Sequence, residues 1–201
     1  MPRFSAELAR SPPDEIALTD PWKALRWAEV YDVLNRMANG LQTLDLAPAR
    51  RIAVFAENAA ETGLANLGGL IAGVSVTPVN FHLNAEEAAY ILENSAASVL
   101  FVDAATAERG LAAARIAGVK TVIGWGVGGA GVIDFHAWLG AQSAAPCRED
   151  HPPLPNLLYT SGTTGRPKAT ELPPTMFAGG ATIAEHLERL AENPLAEAGT
   201  H

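Results

Sequence analysis

Apolar positions along the chain change their period repeatedly, and each change predicts an element. Ile16-Ala17-Leu18 reads as a short strand before a turn at Asp20-Pro21. From Trp27 to Leu44 the apolar residues Val30, Leu34, Met37, Ala38 and Leu41 fall at helical spacing. Arg51 to Phe55 is a continuous apolar run behind one charge, as a buried strand requires, and Ala59 to Ile71 reads as a helix rich in small residues. Val74 to Val79 predicts the next strand. Asn84 with Glu87 three positions later forms a capping box that opens a helix running to Glu93. Ser98 to Val102, Ala104 to Ala117 and Lys120 to Ile123 continue the alternation as strand, helix and strand. Val132-Ile133 stays extended until Asp134 caps a short helical turn. Strands that alternate with helices predict an α/β fold, a mainly parallel sheet flanked by helices on both faces.

The sequence divides at a proline-rich stretch. Ala141 to Pro155 carries Pro146, Pro152, Pro153 and Pro155 beside the charges Arg148, Glu149 and Asp150. The expected organisation is an α/β unit over residues 1–145, a linker over 146–155 and the start of a second unit over 156–201. After Pro174 a last helix is expected to run to about Glu192, where Asn193-Pro194 stops it.

Composition narrows the function classes. The 201 residues are 48% hydrophobic and 18% charged, the balance of a core-forming protein. A net charge of −8 argues against nucleic acid or an anionic membrane surface as partner, because both need a basic face. No apolar run reaches the roughly 20 residues that a bilayer span needs. The charged N-terminus with Pro12-Pro13 does not resemble a signal peptide, so a cytoplasmic location is expected. Cys147 is the single cysteine and reads as an incidental thiol in the linker.

The densest chemistry lies in Tyr159-Thr160-Ser161-Gly162-Thr163-Thr164-Gly165-Arg166-Pro167-Lys168. Glycines let backbone N–H groups approach an anion, Ser and Thr hydroxyls add small donors, and lysine adds a compact positive charge. Pro167 fixes the direction from which Lys168 is presented. These residues suit a loop that holds a polyphosphate; a Ser/Thr/Gly-rich surface turn is the plainer alternative. The run is not a Walker A loop, because Arg166-Pro167 parts Gly165 from Lys168. Lys168 to Leu172 reads as extended, so a hairpin-like clamp is expected.

This run resembles the phosphate-loop signature of the adenylate-forming superfamily, which includes acyl-CoA synthetases, adenylation domains of peptide synthetases and luciferases. Arg26-Trp27-Ala28-Glu29-Val30 resembles the start of the first long helix of these enzymes. Val76 to Phe81, with Leu83 to Glu87 and Tyr90-Ile91-Leu92, is similar to their second core segment. The likeness runs from about Ile16 to the C-terminus and is nearest to the fatty-acid CoA ligases. It departs at Ala169, where the superfamily usually has glycine.

The resemblance implies the N-terminal part of an acyl-CoA synthetase-like large domain, with ATP, Mg²⁺ and coenzyme A as reactants. A small-molecule carboxylic acid, such as a fatty acid, would be the acyl donor. By motif, Thr160, Ser161, Gly162, Thr163, Thr164 and Gly165 would contact the β- and γ-phosphates, Lys168 would supply charge, and Thr164 would approach the metal. No catalytic residue is carried over. The rest of the superfamily's fold has no counterpart before His201, so the chain alone is expected to be inactive. Two alternatives are a stand-alone, non-catalytic nucleotide- or phosphate-binding module and an interaction remnant.

Other patterns carry less. Gly124-Trp125-Gly126-Val127-Gly128-Gly129 formally fits a dinucleotide fingerprint, but no helix is expected at its third glycine. His82, His136, His151, His186 and His201 lack metal-ligand spacing and read as surface or locally bonded residues. Ser161 lies in no G-x-S-x-G elbow, and Glu185, Glu188 and Glu192 read as a solvated helix face.

Overall fold

The computed structural model describes residues 12–46, 48–160 and 167–191. Strands β1 (Ile16–Thr19) and β2 (Ala24–Arg26) pair antiparallel and lead into helix α1 (Trp27–Thr43). Then follow β3 (Arg51–Phe55), α2 (Ala60–Ile71), β4 (Ser75–Pro78), α3 (Ala85–Ser95), β5 (Val99–Asp103), α4 (Ala107–Ala117), β6 (Thr121–Trp125), β7 (Ile133–Asp134) and α5 (Phe135–Gly140). β8 (Asn156–Thr160) and β9 (Lys168–Leu172) form an antiparallel hairpin, and α6 (Ile183–Ala191) is the last described helix.

The central sheet is five-stranded and parallel, in the order β4-β3-β5-β6-β7. Its strands divide their side chains between two cores by simple alternation. Ile52, Val54, Val76, Val99, Phe101 and Ile123 face α1, α2 and α5, where Met37, Leu41, Leu64 and Phe135 meet them. Ala53, Phe55, Leu100, Val102 and Val122 face α3 and α4, where Ala88, Ile91, Leu92 and Ala113 meet them. Helices on both faces are what the alternating pattern predicts. The apolar stripe read for the first helix, Val30, Leu34, Met37, Ala38 and Leu41, is buried. The capping box of α3 is also present: Glu87 N–H donates to Asn84 Oδ1 at 3.0 Å, and Asn84 N–H donates to Glu87 Oε2 at 2.9 Å.

Three elements differ most from expectation. β2 went unread, since three residues beside a turn carry no period. α4 starts at Ala107 instead of Ala104, because Asp103 first accepts the Thr106 N–H in a tight turn. The helix expected to begin after Pro174 begins at Ile183; Pro174–Met176 make one 3₁₀ turn, and Gly179 and Gly180, at φ +67° and +106°, break it. Its expected end near Glu192 lies outside the described residues. Among the described residues no helix is long and apolar enough to cross a membrane.

The segment from Ala141 to Pro155 runs back along α1, tied by that helix's side chains. Arg36 donates to Gln142 O, Asn39 to Ser143 O and Ala145 O, and Gln42 to Arg148 O, at 2.7 to 2.9 Å. Cys147 N–H donates to the buried Asn35 Oδ1 at 3.1 Å. Backbone groups that join no sheet or helix thus find side-chain partners. Cys147 is buried, contrary to its reading as an incidental linker thiol, and burial pushes the thiol up to about 11. The same segment receives α6: Ile183 N–H donates to His151 O and Ala184 N–H to Glu149 O.

Helix α2 approaches both α1 and the sheet through glycines. A Cβ on Gly68 would lie 2.9 Å from Met37 Cβ, whereas one on Gly63 would meet nothing within 4 Å. Gly68→Val is expected to destabilise the chain by about 2–3 kcal/mol through overpacking. Gly63→Ala is expected to stabilise it by about 0.5–1 kcal/mol through helix propensity. Urea denaturation of the two variants against the parent measures both signs.

Candidate functional site

The two ends of the motif run that the structure describes are brought together. Thr160 is the last residue of β8, Lys168 is the first of β9, and they are register partners across the hairpin. Both are exposed, and among the described residues the Lys168 ammonium has no ion-pair partner. Ser161, Gly162, Thr163, Thr164 and Gly165, with Arg166, lie outside the described residues. Ala169 pairs with Tyr159 in regular strand geometry, so its methyl group meets no left-handed backbone.

The hairpin is fastened to the parallel sheet at its base. Asn156 Oδ1 accepts the Val76 N–H at 3.1 Å, and Ser75 Oγ donates to Pro155 O at 2.6 Å. Arg51 ties Ser75 to α3, with Nε on Ser75 Oγ at 2.8 Å and a guanidinium N–H on Ser95 O at 2.6 Å. Near the loop, Tyr159 Oη donates to Asn94 Oδ1 at 2.6 Å, and burial pushes this phenol up to about 12. Sequence reasoning named none of Ser75, Asn94 or Asn156. Polar residues inside a strand, on a helix and at a strand start give no signal until the topology makes them neighbours.

A second place for a ligand lies at the carboxyl ends of β3 and β5. The crossovers diverge between these strands, and open parallel sheets take ligands at such a point. A cavity of about 450 Å³ opens there, lined by Asp20, Lys23, Glu57, Glu61, Asp103 and Trp125 among others. Carboxylates of the chain already accept from several of the donors there. Asp103 accepts from Thr106 N–H, Thr106 Oγ1 and Glu57 N–H at 2.8 to 2.9 Å. Asp20 Oδ2 accepts the Ala60 N–H at the start of α2 at 2.9 Å, and this bond holds the Asp20 carboxyl below its usual range. Lys23 pairs with the buried Glu61. Four carboxylates thus line the cleft, Asp20, Glu57, Glu61 and Asp103, and an anion there would face their negative charge.

The decoy patterns resolve simply. Gly126, Gly129 and Gly131 have positive φ in the loop after β6, and the next helix starts at Phe135 under the Asp134 cap. His186 is buried with Nδ1 on Gly179 O at 2.6 Å, and His151 meets Gln42 at 2.8 Å.

Residues 4–182 match the AMP-binding enzyme family. The chain belongs to that family. It is 29% identical over 162 residues to 4-hydroxybenzoate–CoA/benzoate–CoA ligase of Rhodopseudomonas palustris, covering 77% of this chain and 29% of that ligase. It is 28% identical over 182 residues to tyrocidine synthase 2 of Brevibacillus parabrevis, covering 90% of this chain and 5% of the synthase. The fold superposes on the anthranilate CoA ligase AuaEII, solved with anthranoyl-AMP, with a TM-score of 0.74 at 22% identity, covering 85% of this chain and 34% of that one. The chain thus spans about a third or less of the length of each of these proteins.

The raised Tyr159 pKa carries a sign. The folded chain favours the neutral phenol, so its contribution is complete below the ordinary phenol value of 10.0 and is lost as pH rises toward about 12. Tyr159→Phe is expected to remove a tyrosinate absorbance step near pH 12 and that part of the alkaline loss of stability. Ultraviolet titration with urea midpoints from pH 8 to 12 checks both.

Proposed function

We propose that the chain is the N-terminal portion of an ATP-dependent carboxylate–CoA ligase acting through an acyl-adenylate, and that its β8–β9 hairpin holds the polyphosphate of ATP. The observation that carries this reading is the Thr160–Lys168 pair, which closes the hairpin with an exposed hydroxyl and an exposed ammonium. Family membership supports the chemistry, since residues 4–182 match AMP-binding enzymes. The acyl donor is proposed to be a fatty acid, from the likeness of the motif segments to fatty-acid CoA ligases. The benzoate–CoA ligase relative makes an aryl acid the second reading. Use of ATP and coenzyme A fits a cytoplasmic enzyme. The proline-rich stretch 146–155 is proposed to part the α/β unit from a second unit that begins with the hairpin.

In the proposed step a carboxylate oxygen attacks the α-phosphorus, the bond to the bridging oxygen breaks, and pyrophosphate leaves with the bond's electrons. Lys168, Thr160 and the hydroxyls and N–H groups of Ser161, Gly162, Thr163, Thr164 and Gly165 are proposed to hold the β- and γ-phosphates and to offset that growing charge. The donors at the hairpin mouth are hydroxyls and an ammonium, which suit a metal carried in on the nucleotide better than a resident ion. Mg²⁺ bound to ATP would neutralise phosphate charge, and Thr164 is its proposed contact.

Lys168→Ala is expected to weaken Mg·ATP binding by about 1–3 kcal/mol, the cost of one charged hydrogen bond. Its side chain is exposed, so the urea midpoint should stay unchanged. Titration calorimetry on the parent and the variant makes the measurement, and equal affinities would sink the clamp reading. The chain alone is proposed to form no acyl-adenylate, because it spans so little of its ligase relatives; pyrophosphate release from Mg·ATP and a fatty acid would overturn that.

A further inference from the structure

Tyr90 and Asn94 lie four residues apart on α3 and so share one face, one helical turn from each other. Each holds a different arm of the hairpin. Asn94 Oδ1 accepts the Tyr159 hydroxyl at 2.6 Å on the β8 side, and Tyr90 Oη donates to Pro167 O at 3.5 Å on the β9 side. Tyr159 directly precedes Thr160, and Pro167 directly precedes Lys168, so the two ties grip the backbone beside both proposed phosphate contacts. We propose that Asn94 and Tyr90 are positioning residues for Thr160 and Lys168, setting the hairpin mouth between them from a single face of α3. The proposal rests on the polyphosphate reading given above.

The physical need is plain. A two-stranded hairpin is marginally stable by itself, and β9 is exposed along nearly its whole length. Its base is fixed through Asn156 and Ser75, but one attachment leaves it free to pivot. Two further ties, one on each arm, remove that pivot. The support is itself anchored: α3 has a complete capping box at its start, Arg51 holds Ser95 O at its end, and Ile91 and Leu92 are buried against the sheet. Both tyrosine rings also pack on the core between α3 and the sheet, so each hydroxyl reaches its partner from a ring already in place. A loop that spends part of its time out of the competent geometry loses apparent affinity by that fraction, which is what such ties prevent.

Tyr159→Phe deletes one hydroxyl and keeps the packed ring, and Asn94→Ala removes the matching acceptor. Calorimetry with Mg·ATP on the parent, both single variants and the double variant reads positioning, while urea midpoints read folding. Each single change is expected to weaken Mg·ATP about threefold to tenfold, the range for one neutral hydrogen bond. The double variant should lose no more than the worse single one, with urea midpoints near the parent's. In the absence of nucleotide, the amides of Thr160 and Lys168 should exchange with solvent faster in every variant. Unchanged affinity, additive losses, or binding that falls only in step with the urea midpoint would each overturn the positioning role. A parent chain that binds no Mg·ATP would instead overturn the polyphosphate reading, and the positioning role with it.

Discussion

Val76 sits on the outer edge of the parallel sheet, where its N–H faces no neighbouring strand, and the Asn156 carboxamide takes that bond. This contact places the base of the hairpin. An open strand edge must be covered, and here a side chain from the first residue of β8 covers it instead of a sixth parallel strand. The hairpin therefore begins at a fixed point beside β4. Ser75 and Arg51 strengthen the junction by linking β3, β4, the proline stretch and the C-terminal end of α3 into one hydrogen-bonded group. The loop's chemistry belongs to its own residues, but its place belongs to the sheet edge.

The sheet also opens a cavity at the divergence of β3 and β5, and carboxylates of the chain line it. Both helix N-termini at the divergence of β3 and β5 are occupied by carboxylates, Asp20 at α2 and Asp103 at the turn before α4. These bonds hold β1–β2, β3 and β5 together at the point where their loops meet. The rim of that cavity carries Asp20, Glu57, Glu61 and Asp103. A protein with a net charge of −8 can hold a nucleotide only through a local group of donors.

Much of this fold was legible in the sequence, because burial writes a period. The stripe on α1, the buried run at β3 and the box on α3 each depend on local spacing, and each stands where it was read. The elements that went astray lack that signature: β2 is three residues long, and the start of α6 is set by two glycines in left-handed backbone. At the site, the hairpin was readable from Lys168 to Leu172 as an extended run after a turn-rich loop. Its supports were not, since Asn94 and Asn156 lie 62 positions apart by their numbers and meet the hairpin and the sheet only after folding. Cys147 shows the same limit from the other side. Nothing around it in sequence is apolar enough to announce burial, and Asn35, from more than a hundred residues away, holds its backbone inside.

The lacing of residues 142–148 along α1 has a consequence for how the chain opens. Those bonds join side chains of α1 to backbone groups of the segment, so the segment can peel away without unravelling any strand or helix. Peeling would also release the carbonyls of Glu149 and His151 that α6 uses for its first N–H groups. The only thiol in the chain lies under that lacing, with an acidity suppressed to about 11. A thiol reagent meets a reactive sulfur only when the segment lifts and water reaches it. The reactivity of Cys147 toward such a reagent therefore reports the opening of this joint, without a single substitution.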